Sequence, residues 1–141
     1  MPAIKRVLLD AGPWVDYLNT KGAHHKWSRS QFERFTSFVS CEAVLAEVCA
    51  RCRYYGVDER LALESVQNGQ VKLGLDLQEH VSPVMALMTQ YRDQGMDLAD
   101  GCLLWMVHLE PQSLVVTLDR HFGIYRLARN QVVPHERPPV K

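Results

Sequence analysis

Five acidic residues of this chain lie beside apolar segments of the kind that form buried strands and helices. Asp10 follows the run VLL, and Asp119 follows the run SLVVTL. Asp97 and Asp100 stand in the first turn of the apolar segment MDLADGCLLWMVHL, while Glu47 falls at the edge of an apolar helical stripe. A carboxylate in such a place must become neutral, accept hydrogen bonds or bind a cation. The pattern therefore indicates a site that holds cations.

The segment that begins at residue 96 shows most clearly a carboxylate at a position where an apolar, core-facing side chain is expected. Three residues separate Asp97 from Asp100, and on a helix this spacing places both side chains on one face. Leu103, Leu104 and Val107 continue that face, so Asp100 is expected to point toward the core. For Asp97 alone, a capping role at the start of the helix is the favoured interpretation.

The expected positions of the acids lead to a specific chemistry. Asp10 and Asp119 are predicted at the carboxyl ends of parallel strands, where open sheets bind ligands, and Asp100 and Glu47 can reach the same edge. Carboxylates gathered in one crevice repel one another unless cations neutralise them, and Mg²⁺ or Mn²⁺ prefers such oxygen ligands. Two such ions about 3.5 to 4 Å apart can activate water and stabilise the leaving oxygen of a phosphodiester.

Each acid also has a simpler interpretation. Glu47 precedes Arg51 by four residues, and such an ion pair on a helix surface contributes about 0.2 to 0.5 kcal/mol. Asp10 and Asp119 are also typical of turns that follow strands. The metal interpretation depends on all of these acids occurring together, in order, in matching contexts.

The apolar periodicity predicts the elements that must position these residues. We expect strands at 3–10, 36–40, 70–75, 113–119 and at Val132 and Val133. We expect six helices. The first begins at Pro13, the second includes Phe32 and Phe35, and the other four cover 41–55, 58–67, 81–91 and 96–109. Ser40 is expected to cap the helix at 41–55. This alternation is typical of an α/β domain with a parallel sheet. Residues 1–134 are predicted to form that domain, and residues 135–141 a Pro-rich tail.

Composition limits the possible functions and locations. The chain has 141 residues, 47% of them hydrophobic, and sixteen basic residues balance sixteen acidic ones, so no global basic field attracts nucleic acid or membrane. No segment is typical of a signal peptide or a membrane span, and four cysteines in apolar sequence favour a reducing, cytoplasmic location.

The pair Cys49 and Cys52 has the C-x-x-C spacing of a zinc or redox site, but no second pair stands at ligand spacing.

Four blocks of the sequence together resemble the PIN-domain ribonucleases, and in particular the toxins of VapBC-type toxin-antitoxin pairs. The blocks are LLDAGPWVDYL, SCEAVLAEV, MDLADGCLL and TLDRHF, which span most of the chain. The resemblance implies a three-layer α/β/α sandwich with a central, mainly parallel sheet and a Mg²⁺- or Mn²⁺-dependent endoribonuclease activity. It also implies a homodimer and a cognate antitoxin as partner.

The resemblance assigns roles by position. Asp10, Glu47, Asp100 and Asp119 match the catalytic, metal-binding acids, and Asp97 matches an accessory metal ligand. Thr117 matches a hydroxyl residue two places before the last acid and is a supporting residue. Ser40 is the other supporting residue, on the basis of its expected capping position and not of the resemblance.

His121 departs from the pattern, because many members have Asp or Asn there. Since the chain has no net charge, local cations must hold the RNA, and the candidates near the acidic blocks are Arg51, Arg53, Arg120, His121 and Arg126. The expected reaction is in-line attack of metal-bound water on an RNA phosphodiester. The resemblance implies that the products carry a 5′-phosphate and a 3′-hydroxyl. The alternative is a non-catalytic PIN-like module that acts through a protein partner.

Overall fold

The fold is built on a parallel sheet. The computed structural model describes residues 3–140, and within them five strands form one sheet in the order β3-β2-β1-β4-β5, with every neighbouring pair parallel. The strands are β1 (Arg6–Leu9), β2 (Phe38–Ser40), β3 (Val71–Leu73), β4 (Ser113–Val116) and β5 (His135–Glu136). The short apolar runs of β1 and β4 pair directly, with Leu9 opposite Val116.

Six α-helices flank the sheet within the described range. They are α1 (Ala11–Leu18), α2 (His25–Arg34), α3 (Glu42–Tyr54), α4 (Arg60–Gln67), α5 (Leu77–Gln90) and α6 (Leu98–Leu109). Because crossovers between parallel strands are right-handed, α1 to α4 cover one face and α5 and α6 the other. The contacts agree, since α1 packs on α2 and α3, and α5 packs on α6. This arrangement confirms the predicted three-layer α/β/α sandwich.

The core explains why α6 is apolar almost all round. Leu103, Leu104 and Val107 have no exposed surface, as the predicted helix face requires, and Trp14 of α1 and Phe38 of β2 are buried in the same cluster. Burying one such side chain stabilises the fold by about 1.5 to 3 kcal/mol. A helix with this composition must lie inside the protein, and its first turn is thereby fixed at the edge of the sheet.

The order of the strands creates a crevice next to β1. The chain leaves β1 toward β2 and β3 on one side, and then returns across the sheet to β4 on the other side. The carboxyl ends of β1 and β4 therefore lie side by side at the point where the strand order reverses. Ligands of open α/β sheets bind at such a point. No helix of the described residues is long and apolar enough to cross a membrane.

The predicted capping role of Ser40 is wrong. Cys41 is the residue that precedes α3, and no side chain caps that helix. Ser40 is instead the last residue of β2, and its buried hydroxyl donates a hydrogen bond of 2.8 Å to the carbonyl of Leu9. The hydroxyl therefore joins the carboxyl ends of β2 and β1, directly before Asp10.

Two predictions near the end of the chain also need correction. Strand β4 ends at Val116, and Asp119 caps a 3₁₀ helix at Arg120–Gly123. Val132 forms only an isolated antiparallel bridge with Arg126, while the last strand lies at His135–Glu136. The predicted tail therefore begins with a sheet strand, because backbone pairing with β4 needs no apolar run. Residues 1, 2 and 141 of the predicted domain and tail lie outside the described residues.

We expect Ser40→Ala to lower the free energy of unfolding by about 1 to 2 kcal/mol, because the substitution removes a buried hydrogen bond. Urea denaturation followed by circular dichroism measures this change. The matched control is Ser30→Ala, since Ser30 is exposed and bonds only within α2. Equal stability of the Ser40 variant and the parent protein would contradict the role given to this hydroxyl.

Candidate functional site

All five predicted carboxylates line one cavity at the reversal of the strand order. The cavity has a volume of about 240 Å³, and we call it the acidic cavity. It is lined by Asp10, Glu47, Asp97, Asp100 and Asp119 together with Gly12, Arg51 and Leu118. The tertiary structure thus brings together acids that lie up to 109 positions apart in the sequence.

Thr117 connects two of these acids. Its hydroxyl, which is fully buried, donates a hydrogen bond of 2.7 Å to Oδ2 of Asp10. The same hydroxyl oxygen accepts the backbone N–H of Asp119 at 2.8 Å. Asp10 also caps α1, since its Oδ1 accepts the N–H of Ala11 at 2.8 Å. Both oxygens of Asp10 are therefore held, and Thr117 fixes the loop after β4 relative to the end of β1.

Asp97 and Asp100 have different roles at the start of α6. Asp97 is the N-cap, and its Oδ1 accepts the backbone N–H of Asp100 at 2.9 Å, so the predicted capping role is confirmed. Asp100 is half-buried, and its Oδ2 accepts a hydrogen bond of 3.2 Å from the hydroxyl of Tyr125. The carboxylate of Asp100 is thus turned toward the cavity and held from its far side.

Glu47 enters the cavity from α3. It is half-buried, as is Arg51 one turn later, and both side chains line the same cavity. Among the ion pairs of residues 3–140, none joins Glu47 to Arg51, so the surface ion pair considered for Glu47 does not form. Both groups therefore stay available to a ligand of the cavity.

Asp119 is held by His121, the residue that departs from the family pattern. Oδ1 of Asp119 accepts the backbone N–H of His121 at 2.9 Å and lies 2.6 Å from its Nδ1. Because an ionised carboxylate can only accept, the ring donates through Nδ1–H. The imidazole is also stacked on Tyr125, with 6.2 Å between the ring centroids. His121 thus orients Asp119.

Burial and mutual repulsion disfavour the charge on Asp100. The pKa of Asp100 is raised to about 7, first because burial removes water from the carboxylate. The further causes are the neighbouring carboxylates of Asp10, Asp97 and Asp119. The hydrogen bond from Tyr125 acts in the opposite direction. The neutral form of this carboxyl group is therefore favoured more strongly than in water when no cation is bound.

The same two causes act on two other acids. Burial is the main reason that the pKa of Asp10 is raised, although the hydrogen bond from Thr117 lowers it. The pKa of Glu47 is also raised, first by burial and then by Asp10 and Asp97, while the charge of Arg51 lowers it. Perturbed carboxyl groups of this kind cluster at functional sites.

The five candidate RNA contacts do not lie together. Arg51 lines the acidic cavity and His121 orients Asp119, as described above, while Arg120 is exposed beside it. Arg53 pairs with Glu59 at 3.6 Å on the far part of α3, outside the cavity lining. Arg126 directs its Nη1 to the carbonyls of Gly123, Ile124 and Tyr125, so this part of its guanidinium stabilises a loop.

The sequence interpretation missed Tyr125. This residue is fully buried, packs edge-on against Tyr91 and Phe122, and supports Asp100 through its hydroxyl. It follows Asp119 in irregular sequence without helical or strand periodicity, so no pattern indicated its direction. A buried aromatic with a hydroxyl near the last acid is the feature that could have identified it.

The donor set fits a hard divalent cation, because the cavity offers carboxylate oxygens at high density and disfavours their charge in the absence of a cation. However, no three His, Cys, Asp or Glu side chains of residues 3–140 are arranged so that they could hold a metal ion as they stand. Hydrogen bonds within the protein engage one oxygen each of Asp97, Asp100 and Asp119 and both oxygens of Asp10. A bound cation would share these oxygens with the hydrogen bonds or compete with them.

Comparison with known proteins adds no assignment. The chain matches no protein-family model, and no curated protein matches it. The zinc alternative gains no support either, because the four cysteines are unpaired, Cys52 is fully buried, and no metal-holding group exists in the described residues.

We expect Asp100→Asn to stabilise the metal-free protein above neutral pH. The raised pKa of Asp100 means that folding favours the neutral form of this group. Its stabilising contribution is complete below its unfolded pKa of about 4 and is lost as the pH rises through about 7. After discounting for the exposed part of the side chain, the gain at pH 8 is about 1 to 2 kcal/mol.

Urea denaturation in EDTA at several pH values measures this gain. Glu64→Gln is the control, because Glu64 is exposed on α4 and lies outside the acidic cavity. A variant that is no more stable than the parent at pH 8, or a gain that does not grow with pH, would refute the repulsion described for this site.

Proposed function

We propose that this chain is a Mg²⁺- or Mn²⁺-dependent endoribonuclease of the PIN type that acts as the toxin of a toxin-antitoxin pair. The observation that carries the proposal is the convergence of Asp10, Glu47, Asp100 and Asp119 in one cavity at the reversal of the strand order. The four sequence blocks that resemble PIN domains support RNA as the substrate. A homodimer and a cognate antitoxin belong to the same proposal and rest on that resemblance.

The residues of the cavity have separable tasks in this proposal. Asp10, Glu47, Asp100 and Asp119 would hold the metal, with Asp97 as an accessory ligand. A bound divalent ion would activate water and neutralise charge on the phosphate. Thr117, Tyr125 and His121 orient the acids through the hydrogen bonds described above. Arg51 lines the same cavity, and its side chain forms none of the ion pairs of residues 3–140, which suits it to bind the scissile phosphate.

One observation favours the second candidate, a non-catalytic PIN-like module. The described residues contain no three side chains arranged to hold a metal ion as they stand, and a scaffold that acts through a protein partner needs no such group. Calorimetry with Mn²⁺ separates the two. Stoichiometric binding that Asp100→Asn weakens supports the nuclease, whereas the absence of binding supports the module.

We expect the protein to cleave structured RNA in Mg²⁺ and to lose the activity in EDTA. Asp10→Asn and Asp100→Asn should each reduce the cleavage rate by on the order of 100-fold or more, because each removes a negatively charged ligand. Gel analysis of labelled RNA measures the rate, and Glu64→Gln should cleave like the parent. Undiminished cleavage by both Asn variants would reject the assignment.

Thr117→Val should weaken Mn²⁺ binding and slow cleavage by about 10-fold, because it removes the hydroxyl that holds Asp10 and the N–H of Asp119. Thr117→Ser keeps the hydroxyl and should retain most of the affinity. Calorimetry measures the affinity of the three proteins. If valine and serine give the same affinity, Thr117 does not orient the metal ligands.

A further inference from the structure

A second groove opens beside the acidic cavity. It has a volume of about 370 Å³ and shares Arg51 and Leu118 with that cavity. The connection between α1 and α2 forms one side, and Tyr55 stands at the end of α3. We call it the α1–α2 groove, and its lining is Asp16, Asn19, Lys21, Gly22, Ala23, His24, Arg51, Tyr55 and Leu118. The acidic cavity and this groove are therefore adjacent, with Arg51 and Leu118 at their common border.

The α1–α2 groove has the opposite charge character from the acidic cavity. Lys21 and Arg51 line it, and neither side chain has an ion-pair or hydrogen-bond partner in the described part of the chain. The acid of the groove, Asp16, is 8% exposed, and its Oδ2 accepts the backbone N–H of His24 at 3.0 Å. Two free cations thus face the groove, while its carboxylate is buried and engaged by the backbone.

The groove is held in shape before any ligand binds. The ring Nδ1 of His25 lies 2.8 Å from the carbonyl of Asp16, so the connection between α1 and α2 is tied to α1 at two points. Gly22 allows this close approach, because a Cβ there would lie 2.7 Å from Oδ1 of Asp16. A preformed site loses little conformational entropy on binding.

Tyr55 adds an aromatic surface to the groove. Its side chain is 51% exposed, and its ring stands edge-on to Tyr54, with 5.1 Å between the centroids. Unpaired bases stack on exposed aromatic rings of this kind, and the stacking tolerates any base. Cations with an adjacent aromatic are the combination that binds single-stranded nucleic acid.

We propose that the α1–α2 groove binds a single-stranded segment of the RNA substrate on one side of the cleaved bond. Lys21 and Arg51 contact backbone phosphates there, and a base stacks on Tyr55. This inference rests on the proposed function, since it takes the acidic cavity as the site of cleavage. A duplex does not fit the assignment, because its bases are stacked on one another and cannot reach Tyr55.

Fluorescence anisotropy with a labelled single-stranded RNA of about 12 nucleotides tests the groove. All proteins in this experiment carry Asp100→Asn, which slows cleavage enough for RNA binding to be measured in Mg²⁺, and the Asp100→Asn protein without a further substitution is the parent. We expect Tyr55→Ala to weaken binding by about 5- to 10-fold. Lys21→Gln should weaken binding and reduce the slope of log K against log salt by about 0.7, the value for one phosphate of a single strand.

Two matched variants serve as controls in the same parent. Tyr54→Ala removes the neighbouring ring, which is 84% exposed and does not line the groove. Lys5→Gln removes a cation that pairs with Glu110 near the amino end of β1, opposite the acids. Both should bind the single strand as the parent does, and all variants should bind a hairpin duplex more weakly than the single strand.

Several results would overturn the proposal. The first is that Tyr55→Ala and Lys21→Gln leave the RNA affinity and the salt slope unchanged. The second is that the two control variants lose as much RNA affinity as the groove variants. The third is that the duplex binds as tightly as the single strand. If the parent protein does not bind RNA, the assignment of the groove to RNA is also rejected. If the groove variants lose RNA affinity but the wild-type protein does not cleave, the nuclease assignment alone fails. If cleavage occurs and the groove variants bind normally, only the groove assignment fails.

Discussion

Electrostatic repulsion among carboxylates that are partly removed from water is the constraint on which the site depends. The pKa of Asp100 is raised to about 7, first by burial and then by the nearby carboxylates of Asp10, Asp97 and Asp119. Such a cluster opposes folding at neutral pH, so the rest of the structure must hold it together. The paired ends of β1 and β4 and the mostly buried helix α6 do so, because their buried apolar side chains cannot move toward water without a large loss of burial.

Hydrogen bonds then decide where each acid points. Thr117 joins Asp10 to the backbone of Asp119, Tyr125 holds Asp100, and His121 holds Asp119. In the absence of a cation these bonds compensate part of the repulsion by occupying carboxylate oxygens. The cavity contains suitable donor atoms, although no three of the His, Cys, Asp and Glu side chains in residues 3–140 are arranged to hold a metal ion as they stand. Loss of stability at a site of this kind is the usual cost of a preorganised binding function.

The acidic cavity and the adjoining α1–α2 groove carry charges of opposite sign. The acidic cavity attracts cations, whereas Lys21 and Arg51 of the adjoining groove attract anions, and Arg51 belongs to both. A polyanion can be bound under these conditions even though the whole chain carries no net charge. The connection between α1 and α2 is therefore part of the proposed substrate site, although its sequence contains none of the acidic motifs.

The sequence alone determined the fold class, because apolar runs and helical periodicity report burial directly, and it identified the acids through their conflict with apolar neighbours. It also distinguished Asp97, which caps α6, from Asp100, which was expected to point inward and lies half-buried in the lining of the acidic cavity. Only the tertiary structure decided the hydrogen-bond partners of Ser40, the pairing of His135–Glu136 with β4, and the contact of Tyr125 with Asp100. These depend on contacts between residues distant in the chain or in irregular segments, and no local periodicity encodes the direction of a side chain there.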